Sequence, residues 1–275
     1  MNIKPECIVC LMNQGLKVSR LLQLDDRQSK EVLDTTAKIV LEHDMDVTPP
    51  QIADVIYRSI SEITGLDDPV AVSKMQATKL ALSVDKRLVK SIEDATKFSV
   101  IGNVIDFGAQ EQFDLNEMIA DYFHHPFAIN DTSIFIEELE NAKEIVIIGD
   151  NVGEHIFDQW LIEKILERYD VHVNYFVRGK PIINDVTLED TEILQSCATV
   201  IDTGVGTPGY DLSGANRESL EIFEKADIVI SKGMGNFESL YGETERSIYY
   251  LFTVKCNVVA EQIGQPVKSM IFKRV

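Results

Sequence analysis

Basic residues are scarce in this chain relative to acidic ones, and cysteines are few. The 275 residues include 26 Lys and Arg against 45 Asp and Glu, which gives a formal net charge of −19. Nucleic acids and anionic lipid surfaces attract basic proteins, so this balance argues against both as partners. The 4 cysteines are too few for a disulfide scaffold at this length, and a reducing compartment would keep them as thiols.

Long apolar runs are also missing. No stretch approaches the roughly 20 apolar residues that span a bilayer, and the first residues lack the apolar segment of a signal peptide. We therefore expect a cytoplasmic protein without a membrane partner. Hydrophobic residues at 45% are typical of a folded chain, and the length suits one large domain or two modest ones.

The first half of the chain has the apolar spacing of helices. After Thr48-Pro49-Pro50, isoleucine and valine residues recur at helical intervals until Gly65. Another helix is predicted to begin at Asp67-Asp68-Pro69, and others to cover about 13–43 and 86–107. No convincing strand precedes residue 140.

The second half alternates short apolar runs with helical stretches. Strands are predicted at 144–149, 171–177, 199–202, 227–231, 249–254 and near 267–272, and helices at 153–169, 188–197 and 217–226. This alternation is typical of a mostly parallel sheet covered by helices on both faces. The change of period divides the chain into a helical subdomain, 1–140, and an α/β core, 141–275, packed as one unit.

Polar and glycine-rich loops follow four of the predicted strands. They lie at 149–154, 178–187, 203–209 and 232–238. Ligands of an open α/β sheet bind at the carboxyl ends of its strands, so we expect these loops to converge. Each loop alone is equally consistent with a turn or a helix cap.

The groups in these loops suit phosphoryl chemistry. Two carboxylates and an amide oxygen form a hard oxygen site, suited to Mg²⁺ or Mn²⁺ and able to accept Co²⁺ or Ni²⁺. Glycine-rich turns expose backbone N–H groups to an anion, and Lys232 supplies a charge for a phosphate oxygen. A metal, a lysine and a set of amides are what phosphoryl transfer requires.

At this level of detail the chain resembles the damage-control phosphatases, a family long called domain of unknown function 89. The resemblance rests on Gly149-Asp150-Asn151 with Gly153-Glu154, on Asn184-Asp185-Val186-Thr187, on Lys232-Gly233-Met234-Gly235-Asn236-Phe237-Glu238, on Gly102-Asn103-Val104-Ile105-Asp106 and on Cys7-Ile8-Val9-Cys10. These motifs span nearly the whole chain in family order. The early Cys-x-x-Cys is similar to that of a microbial subgroup.

The resemblance implies a Rossmann-like α/β/α core preceded by an all-helical N-terminal subdomain. It also implies a divalent-metal-dependent phosphatase that hydrolyses small phosphorylated metabolites. Asp150, Asn151 and Asp185 would be the metal ligands, with Mn, Co, Ni or Mg as the bound ion.

The remaining site residues lie on the substrate side in this interpretation. They are Asn103, Asp106 and Lys232, together with Gly204, Gly233, Gly235 and Asn236 of the glycine-rich loops. The catalytic candidates are Asp150, Asp185, Asp106 and Lys232. Either Asp106 or Asp185 would orient the attacking water or pass a proton, and the sequence leaves that choice open.

Two departures from common patterns narrow the prediction. Family members that act on fructose phosphates carry Arg-Thr-x-Lys near the C-terminus. That signature is not found here, where Lys255-Cys256 stands instead, which puts a sugar-phosphate substrate in doubt. Cys7 and Cys10 have the spacing of half a zinc site, but no second cysteine pair exists, so they are predicted to be plain thiols.

Other functions remain open. A Rossmann-type methyltransferase or nucleotide binder also has a glycine-containing loop after a strand, although 149–153 is not Gly-x-Gly-x-x-Gly and Asp150 would repel a pyrophosphate. A non-enzymatic, metal-dependent ligand-binding protein would keep the same metal residues without turnover. An aspartyl-phosphate route through Asp150 would lack the usual Asp-x-Asp, because residue 152 is Val152.

Overall fold

A computed structural model of the protein describes residues 1–104, 119 and 123–275. Residues 105–118 and 120–122, and the side chains of Asn103 and Val104, lie outside that description. The predicted site residue Asp106 therefore lies outside the described residues. Asn103 is placed only through the backbone of its helix.

Helices make up the N-terminal part and separate the strands of the rest. The first five are α1 (Pro5–Leu21), α2 (Asp26–Glu42), α3 (Pro49–Thr64), α4 (Ala71–Leu82) and α5 (Ile92–Val104). Those that follow among the described residues are α6 (Thr132–Leu139), α7 (Glu154–Leu166), α8 (Arg217–Lys225), α9 (Gly233–Leu240) and α10 (Asn257–Ile263). None of the described helices is long and apolar enough to cross a membrane.

Capping side chains explain where the first helices begin and end. The Thr48 hydroxyl accepts a hydrogen bond from the Gln51 N–H, and Gly65 ends α3 with a φ of 70°, so the predicted helix is confirmed. The helical region predicted over about 13–43 consists of the end of α1 and all of α2. The Asp25 carboxylate accepts a hydrogen bond from the Gln28 N–H and starts α2 as a separate helix.

The next two predicted helices begin later than expected. Asp68 accepts a hydrogen bond from the N–H of Val70, which holds the chain in a turn, so α4 starts at Ala71 and not at Asp67. Lys86–Leu88 form a separate 3-10 turn before α5. The predicted helix over 188–197 consists of two 3-10 segments, Leu188–Asp190 and Glu192–Ser196.

Seven strands in the described part of the chain form one sheet. They are β1 (Ile129–Asn130), β2 (Glu144–Ile148), β3 (His172–Val177), β4 (Thr199–Asp202), β5 (Ile228–Lys232), β6 (Tyr249–Thr253) and β7 (Met270–Arg274). Their order is β1-β7-β6-β5-β2-β3-β4, and every neighbouring pair is parallel except β6 with β7. The predicted mostly parallel α/β fold is thereby confirmed.

Three elements differ from the sequence prediction. The strand β1 precedes residue 140 and pairs with β7, although it has only two residues. The segment predicted as a glycine-rich loop after β5 is the helix α9, and α10 was not predicted. Gly233 and Gly235 weaken the helical signal because glycine has a low helix propensity.

Both faces of the sheet are buried, and alternate residues of each strand supply the two layers. Ile145 and Ile147 of β2 belong to one apolar cluster, while Val146 and Ile148 belong to the other. The strand therefore reads as a continuous apolar run, as expected for a parallel sheet covered on both faces. A third cluster joins α1, α2 and α3 to Ile182, which follows β3.

The first face of the sheet is covered by α5 and α7. Phe98 of α5 lies 5.6 Å from Trp160 of α7 between ring centroids, and Phe157 lies 4.9 Å from Trp160. Consequently α5 packs in the same core as the sheet although it belongs to the predicted helical half. The division at residue 140 stays a prediction.

Replacing Phe157 by alanine should destabilise the fold by about 3–5 kcal/mol, the usual range for removing a buried aromatic ring. The Phe157 side chain is 0% exposed and contacts two other rings, so the cavity left behind cannot be filled by water-exposed groups. Urea denaturation measures the change. Leu41→Ala is the control, since Leu41 is 86% exposed, and its effect should stay within about 0.5 kcal/mol. Equal effects of the two variants would contradict this description of the core.

Candidate functional site

The carboxylates predicted as metal ligands follow two neighbouring parallel strands. Asp150 comes directly after β2, and Asp185 lies in the loop after β3. That loop folds back on the first, because Asn151 forms an isolated antiparallel bridge with Asp185 and the Val186 N–H donates to the Asp150 carbonyl at 2.8 Å. Asp150, Asn151 and Asp185 line one wall of a cavity of about 620 Å³.

Burial leaves both carboxylates poorly solvated. Asp150 is 7% exposed and Asp185 is 2% exposed. Burial and the charge of Asp185 raise the pKa of Asp150 to about 6, and burial raises the pKa of Asp185 to about 6 against the opposing effect of Arg178. Keeping both carboxylates ionised therefore costs folding free energy in the metal-free protein. A bound divalent cation would offset this cost.

The amide of Asn151 is held in one orientation. Its Nδ2 donates to Asp150 Oδ2 at 2.9 Å and to Glu154 Oε1 at 2.6 Å. Both amide protons are thereby used, which leaves the Oδ1 atom for another partner. An amide oxygen beside two carboxylates is a donor set that suits a hard divalent ion.

Arg178 anchors the second carboxylate, and the sequence analysis did not identify it. Its Nε donates to Asp185 Oδ2 at 2.8 Å and one terminal nitrogen, Nη2, donates to Asn236 Oδ1 at 3.0 Å. The side chain is 1% exposed. The sequence did contain a signal for this role: Arg178 ends a predicted strand and precedes the predicted metal ligand Asp185 by seven residues.

Asn236 links backbone segments and does not face the cavity. Its Nδ2 donates to the carbonyls of Gly149 and Lys232, and its Oδ1 also accepts the N–H of Tyr210 at 2.7 Å. The prediction that Asn236 binds substrate is therefore revised. The side chain holds α9 against the end of β2 and so fixes the loop that carries Asp150.

Lys232 also lies away from the cavity. The side chain is 0% exposed, and its Nζ donates to Asp158 Oδ1 at 2.6 Å, to the Ser99 carbonyl at 3.0 Å and to Glu154 Oε2 at 3.4 Å. Burial opposes its charge, but the carboxylates of Asp158 and Glu154 raise the pKa of Lys232 above its ordinary value. The prediction that Lys232 contacts a phosphate oxygen is therefore revised. In the structure its ammonium group contacts Glu154 and Asp158.

Strand alternation is the signal that the sequence analysis overlooked here. Ile228 and Ile230 of β5 face the layer of α5 and α7, whereas Val229 faces the other side. Lys232 continues the first set, so its side chain enters the helix layer. There Asp158 also accepts hydrogen bonds from Ser99 Oγ at 2.5 Å and Tyr175 OH at 2.8 Å.

The predicted glycines have different surroundings. Gly233 has a φ of 75°, and a side chain there would collide with the Asp150 carboxylate, so glycine lets α9 start against the metal-ligand loop. Gly235 lines the cavity and leaves no room for a Cβ beside the Pro208 carbonyl. Gly204 is exposed in the loop after β4, is not part of this cavity's lining and packs against Gly179.

The opposite wall of the cavity comes from the N-terminal helices and the C-terminal segment. Cys7 and Cys10 of α1 line it together with Cys256, although they are far in sequence from Asp150. Among the residues that the structure describes, no three His, Cys, Asp or Glu side chains are placed to hold a metal ion together. That Cys7 and Cys10 are plain thiols stays a prediction.

Lys255 is the lysine that reaches the cavity. It is exposed, lines the same cavity as Asp150 and carries a charge that lowers the pKa of both Asp150 and Glu154. The sequence around it is Phe252-Thr253-Val254-Lys255, so the Thr and Lys of the Arg-Thr-x-Lys signature are present and only the arginine is replaced. The sequence analysis overlooked this partial match.

Glu238 is a further carboxyl group on the cavity wall. It lies on α9, and burial raises its pKa to about 7, with the charge of Asp150 acting in the same direction and the N-terminal ammonium group opposing it. The sequence analysis included Glu238 in a motif but gave it no role.

Comparison with known proteins places the chain in a family. The family described as Damage-control phosphatase ARMT1-like domain matches residues 3–271. The chain belongs to the damage-control phosphatase family. A protein of Pyrococcus horikoshii named damage-control phosphatase is 34% identical over 284 residues, covering 100% of this chain and 98% of the relative.

A second relative and a solved structure of the Pyrococcus horikoshii protein match over nearly their full lengths. A damage-control phosphatase of Archaeoglobus fulgidus is 31% identical and covers 100% of both chains. A crystal structure described as a DUF89 family protein from Pyrococcus horikoshii superimposes with a TM-score of 0.94 at 34% identity, covering 100% of this chain and 99% of the other. The assignment to the N-terminal Cys-x-x-Cys subgroup stays a prediction.

Asp150→Asn should stabilise the metal-free protein at pH 7, by a few degrees in melting temperature. The pKa of Asp150 is about 6 in the folded state against 3.8 ordinarily, so the folded state binds more protons between these values. Wild-type stability therefore falls as pH rises from about 4 to about 6, and the variant loses that penalty. Thermal melts in a chelator at pH 4 and pH 7 measure the difference.

Asp185→Asn is the matched comparison. Burial raises the pKa of Asp185 to about 6 as well, so this variant loses a similar penalty, but the lost pairing with Arg178 opposes the gain and the melting temperature should rise less than in Asp150→Asn. Asp185 pairs with buried Arg178, which would be left without its carboxylate. Both variants should lose the stabilisation that a divalent metal gives to the wild type. If metal raises the melting temperature of either variant as much as that of the wild type, the ligand assignment is contradicted.

Proposed function

We propose that the protein is a divalent-metal-dependent phosphomonoester hydrolase of small phosphorylated metabolites. One observation carries the proposal: two buried carboxylates and an oriented amide oxygen meet at the carboxyl ends of adjacent parallel strands, on the wall of a cavity. Membership of the damage-control phosphatase family supports it. Mn²⁺, Co²⁺, Ni²⁺ and Mg²⁺ all suit such oxygen donors.

Asp150, Asn151 and Asp185 would hold the metal ion. When bound, the ion would stabilise negative charge on the transferring phosphoryl group and activate a water molecule. Glu154 orients the Asn151 amide, and Lys232 keeps Glu154 in place through the contact described above. Lys232 is in this proposal a positioning residue.

Lys255 would bind the phosphate, since it brings a positive charge to the cavity that the carboxylates line and its charge acts on Asp150. Glu238 would supply a proton to the departing alcohol oxygen, because its pKa of about 7 suits that exchange at neutral pH. Asn103 and Asp106 remain predicted substrate-side residues, and the role of Asp106 or Asp185 in orienting the water remains open.

The alternative functions gain less support. The loop after β2 places Asp150 where a dinucleotide-binding protein would receive a pyrophosphate, and a second buried carboxylate lies beside it. Those charges favour a cation at this position. A metal-dependent ligand sensor would have the same residues, and only a turnover measurement separates it from an enzyme.

The activity should appear only with a divalent metal. We expect phosphate release from a panel of phosphorylated metabolites when Mg²⁺, Mn²⁺, Co²⁺ or Ni²⁺ is added singly to chelator-treated protein. Colorimetric phosphate detection measures the rate. Undiminished phosphate release after exhaustive chelation would contradict the metal requirement. Metal binding without turnover of any compound would favour the ligand-sensor function.

Lysine substitutions should separate phosphate binding from positioning. Lys255→Ala should keep the wild-type fold and metal affinity but lose on the order of 10²–10³ in turnover, since one charged contact to the phosphoryl group is removed. Lys225→Ala, an exposed lysine on α8, is the control and should change neither. Metal titration calorimetry and steady-state kinetics measure the two effects.

Lys232→Ala should instead destabilise the fold by about 3–5 kcal/mol, because Asp158 and Glu154 would be left buried without their cation. Urea denaturation measures this loss. If Lys232→Ala were as stable as wild type and only Lys255→Ala kept full turnover, the two roles would have to be exchanged.

A further inference from the structure

The cavity lined by the predicted metal ligands has space for more than a phosphate group. Its volume is about 620 Å³, which is within the range of pockets that enclose a small organic ligand. The carboxylates and Lys255 take up only part of its lining. The remaining lining would surround the alcohol part of a bound phosphomonoester, so its chemistry indicates which alcohol fits.

Apolar side chains of that remaining lining are accessible to a ligand. They come from four separate segments, namely the loop after β3, α9, α10 and the segment before β7. The residues are Ile183, Met234, Val258 and Val267. The first three are half-buried and Val267 is 37% exposed, so each can contribute contact area.

Two thiols extend this apolar surface. Cys10 is exposed and Cys256 is half-buried, and both line the same cavity. Burial raises the pKa of each thiol above its ordinary value, so both are uncharged at pH 7. An uncharged cysteine packs as a small apolar residue.

The apolar groups lie beside the residues that would hold the metal and the phosphate. Met234 Sδ accepts a hydrogen bond from the Lys255 N–H at 3.0 Å, and Cys256 follows Lys255 in the chain. Ile183 precedes the predicted metal ligand Asp185 by two residues. An alcohol joined to a phosphate at this position would therefore meet apolar side chains directly.

Ile183 has an unusual backbone conformation. The Asp185 N–H donates to the Ile182 carbonyl at 3.0 Å, which closes a turn with Ile183 at its second position. The φ of Ile183 is 46°, where glycine or asparagine is the usual residue and a β-branched residue is rare. The turn alone does not favour isoleucine, so the side chain serves its contacts with the helical apolar cluster and with the cavity.

The charges of the lining restrict the ligand to one anionic group. Among the described residues that line the cavity, Lys255 is the single cation, whereas Glu6 and Glu238 add carboxyl groups to those of the metal ligands. The first phosphate would use Lys255 and the metal. A second phosphate or a carboxylate on the ligand would meet carboxyl groups without a further cation, which is unfavourable.

We propose that this cavity takes phosphomonoesters with a single phosphate and an apolar alcohol part, and that Ile183 contacts that part. The proposal rests on the phosphatase function proposed above. It favours alkyl and aryl phosphates over sugar phosphates, bisphosphates and phosphorylated acids.

Binding of alkylphosphonates tests the apolar contact without turnover, because a carbon–phosphorus bond replaces the ester bond. Calorimetric titration of the Mn²⁺-loaded full chain compares ethyl-, propyl- and pentylphosphonate. Each buried methylene should strengthen binding about fourfold, which is on the order of sixtyfold from ethyl to pentyl. Phosphonopropionate carries a carboxylate in place of the terminal methyl group of propylphosphonate, and it should bind more weakly than propylphosphonate.

Ile183→Asn tests the assigned contact. Asparagine tolerates the left-handed backbone of the turn, so Asp185 keeps its position while the lining loses an apolar group. The pentyl-to-ethyl affinity ratio should fall at least about fourfold, the effect of one methylene without its apolar contact. Ile63→Asn is the matched control, because Ile63 is also half-buried against the helical cluster but does not line the cavity. It should keep the wild-type ratio.

Val267→Lys tests the charge argument at an exposed position, where a substitution is compatible with folding. A second cation in the lining should raise the affinity for phosphonopropionate by up to about fivefold, the effect of one exposed ion pair. Val72→Lys is the matched control and should bind as the wild type does. Val72 is 63% exposed on α4 and does not line this cavity.

Hydrolysis of ethyl and pentyl phosphate separates this proposal from the phosphatase function. Pentyl phosphate should have the higher kcat/KM. Hydrolysis without a gain in affinity from ethyl- to pentylphosphonate would overturn the apolar-substrate proposal and leave the phosphatase function standing. A gain in affinity without hydrolysis of either ester would contradict the phosphatase function and keep the apolar site.

Three further results would overturn the proposal. The first is an absence of binding by all three alkylphosphonates, and the second is tighter binding of phosphonopropionate than of propylphosphonate. The third concerns the contact with Ile183: an unchanged affinity ratio in a folded Ile183→Asn variant, or an equal loss in Ile63→Asn. The Val267→Lys titration decides the charge argument even if Ile183→Asn does not fold.

Discussion

Two carboxylates are buried after the ends of β2 and β3, and most of the surrounding site compensates for their charge. Asp150 and Asp185 repel each other and are poorly solvated, so neighbouring groups must make the arrangement tolerable. Arg178 neutralises Asp185 from one side, and Asn151 donates to Asp150 from the other. The remaining excess of negative charge would favour a cation at this position, as the proposed metal site requires.

A second set of buried charges supports the first from behind the sheet. Lys232 lies between Asp158 and Glu154 in the layer shared by α5 and α7, and Glu154 reaches Asn151 at the front. The packing of aromatic rings in this layer therefore supports the position of Glu154 and, through it, the orientation of the Asn151 amide. This role in holding Glu154 explains why Lys232, although part of the Lys-Gly-Met-Gly-Asn-Phe-Glu motif, is completely buried.

Much of the fold could be predicted because β2 to β5 are short apolar runs bounded by glycine or polar residues. The meeting of Asp150 and Asp185 was predictable, because both follow parallel strands and the carboxyl ends of parallel strands lie at one edge of the sheet. Tertiary contacts decided the rest. The glycines of α9 predicted a loop. They are required in the helix because a side chain at either position would collide with Asp150 or Pro208. The contact of Arg178 with Asn236 and the cavity position of Cys10 depend on contacts between distant segments, which no local pattern encodes.

The edge of the sheet has a consequence for the order in which the chain assembles. β7 lies between β1 and β6, so Ile129 pairs with Ile271 across most of the second half of the chain. A two-residue strand gains little from that pairing, while closing so long a loop is entropically unfavourable. We therefore expect β1 to join the sheet after β6 and β7 have formed their antiparallel pair.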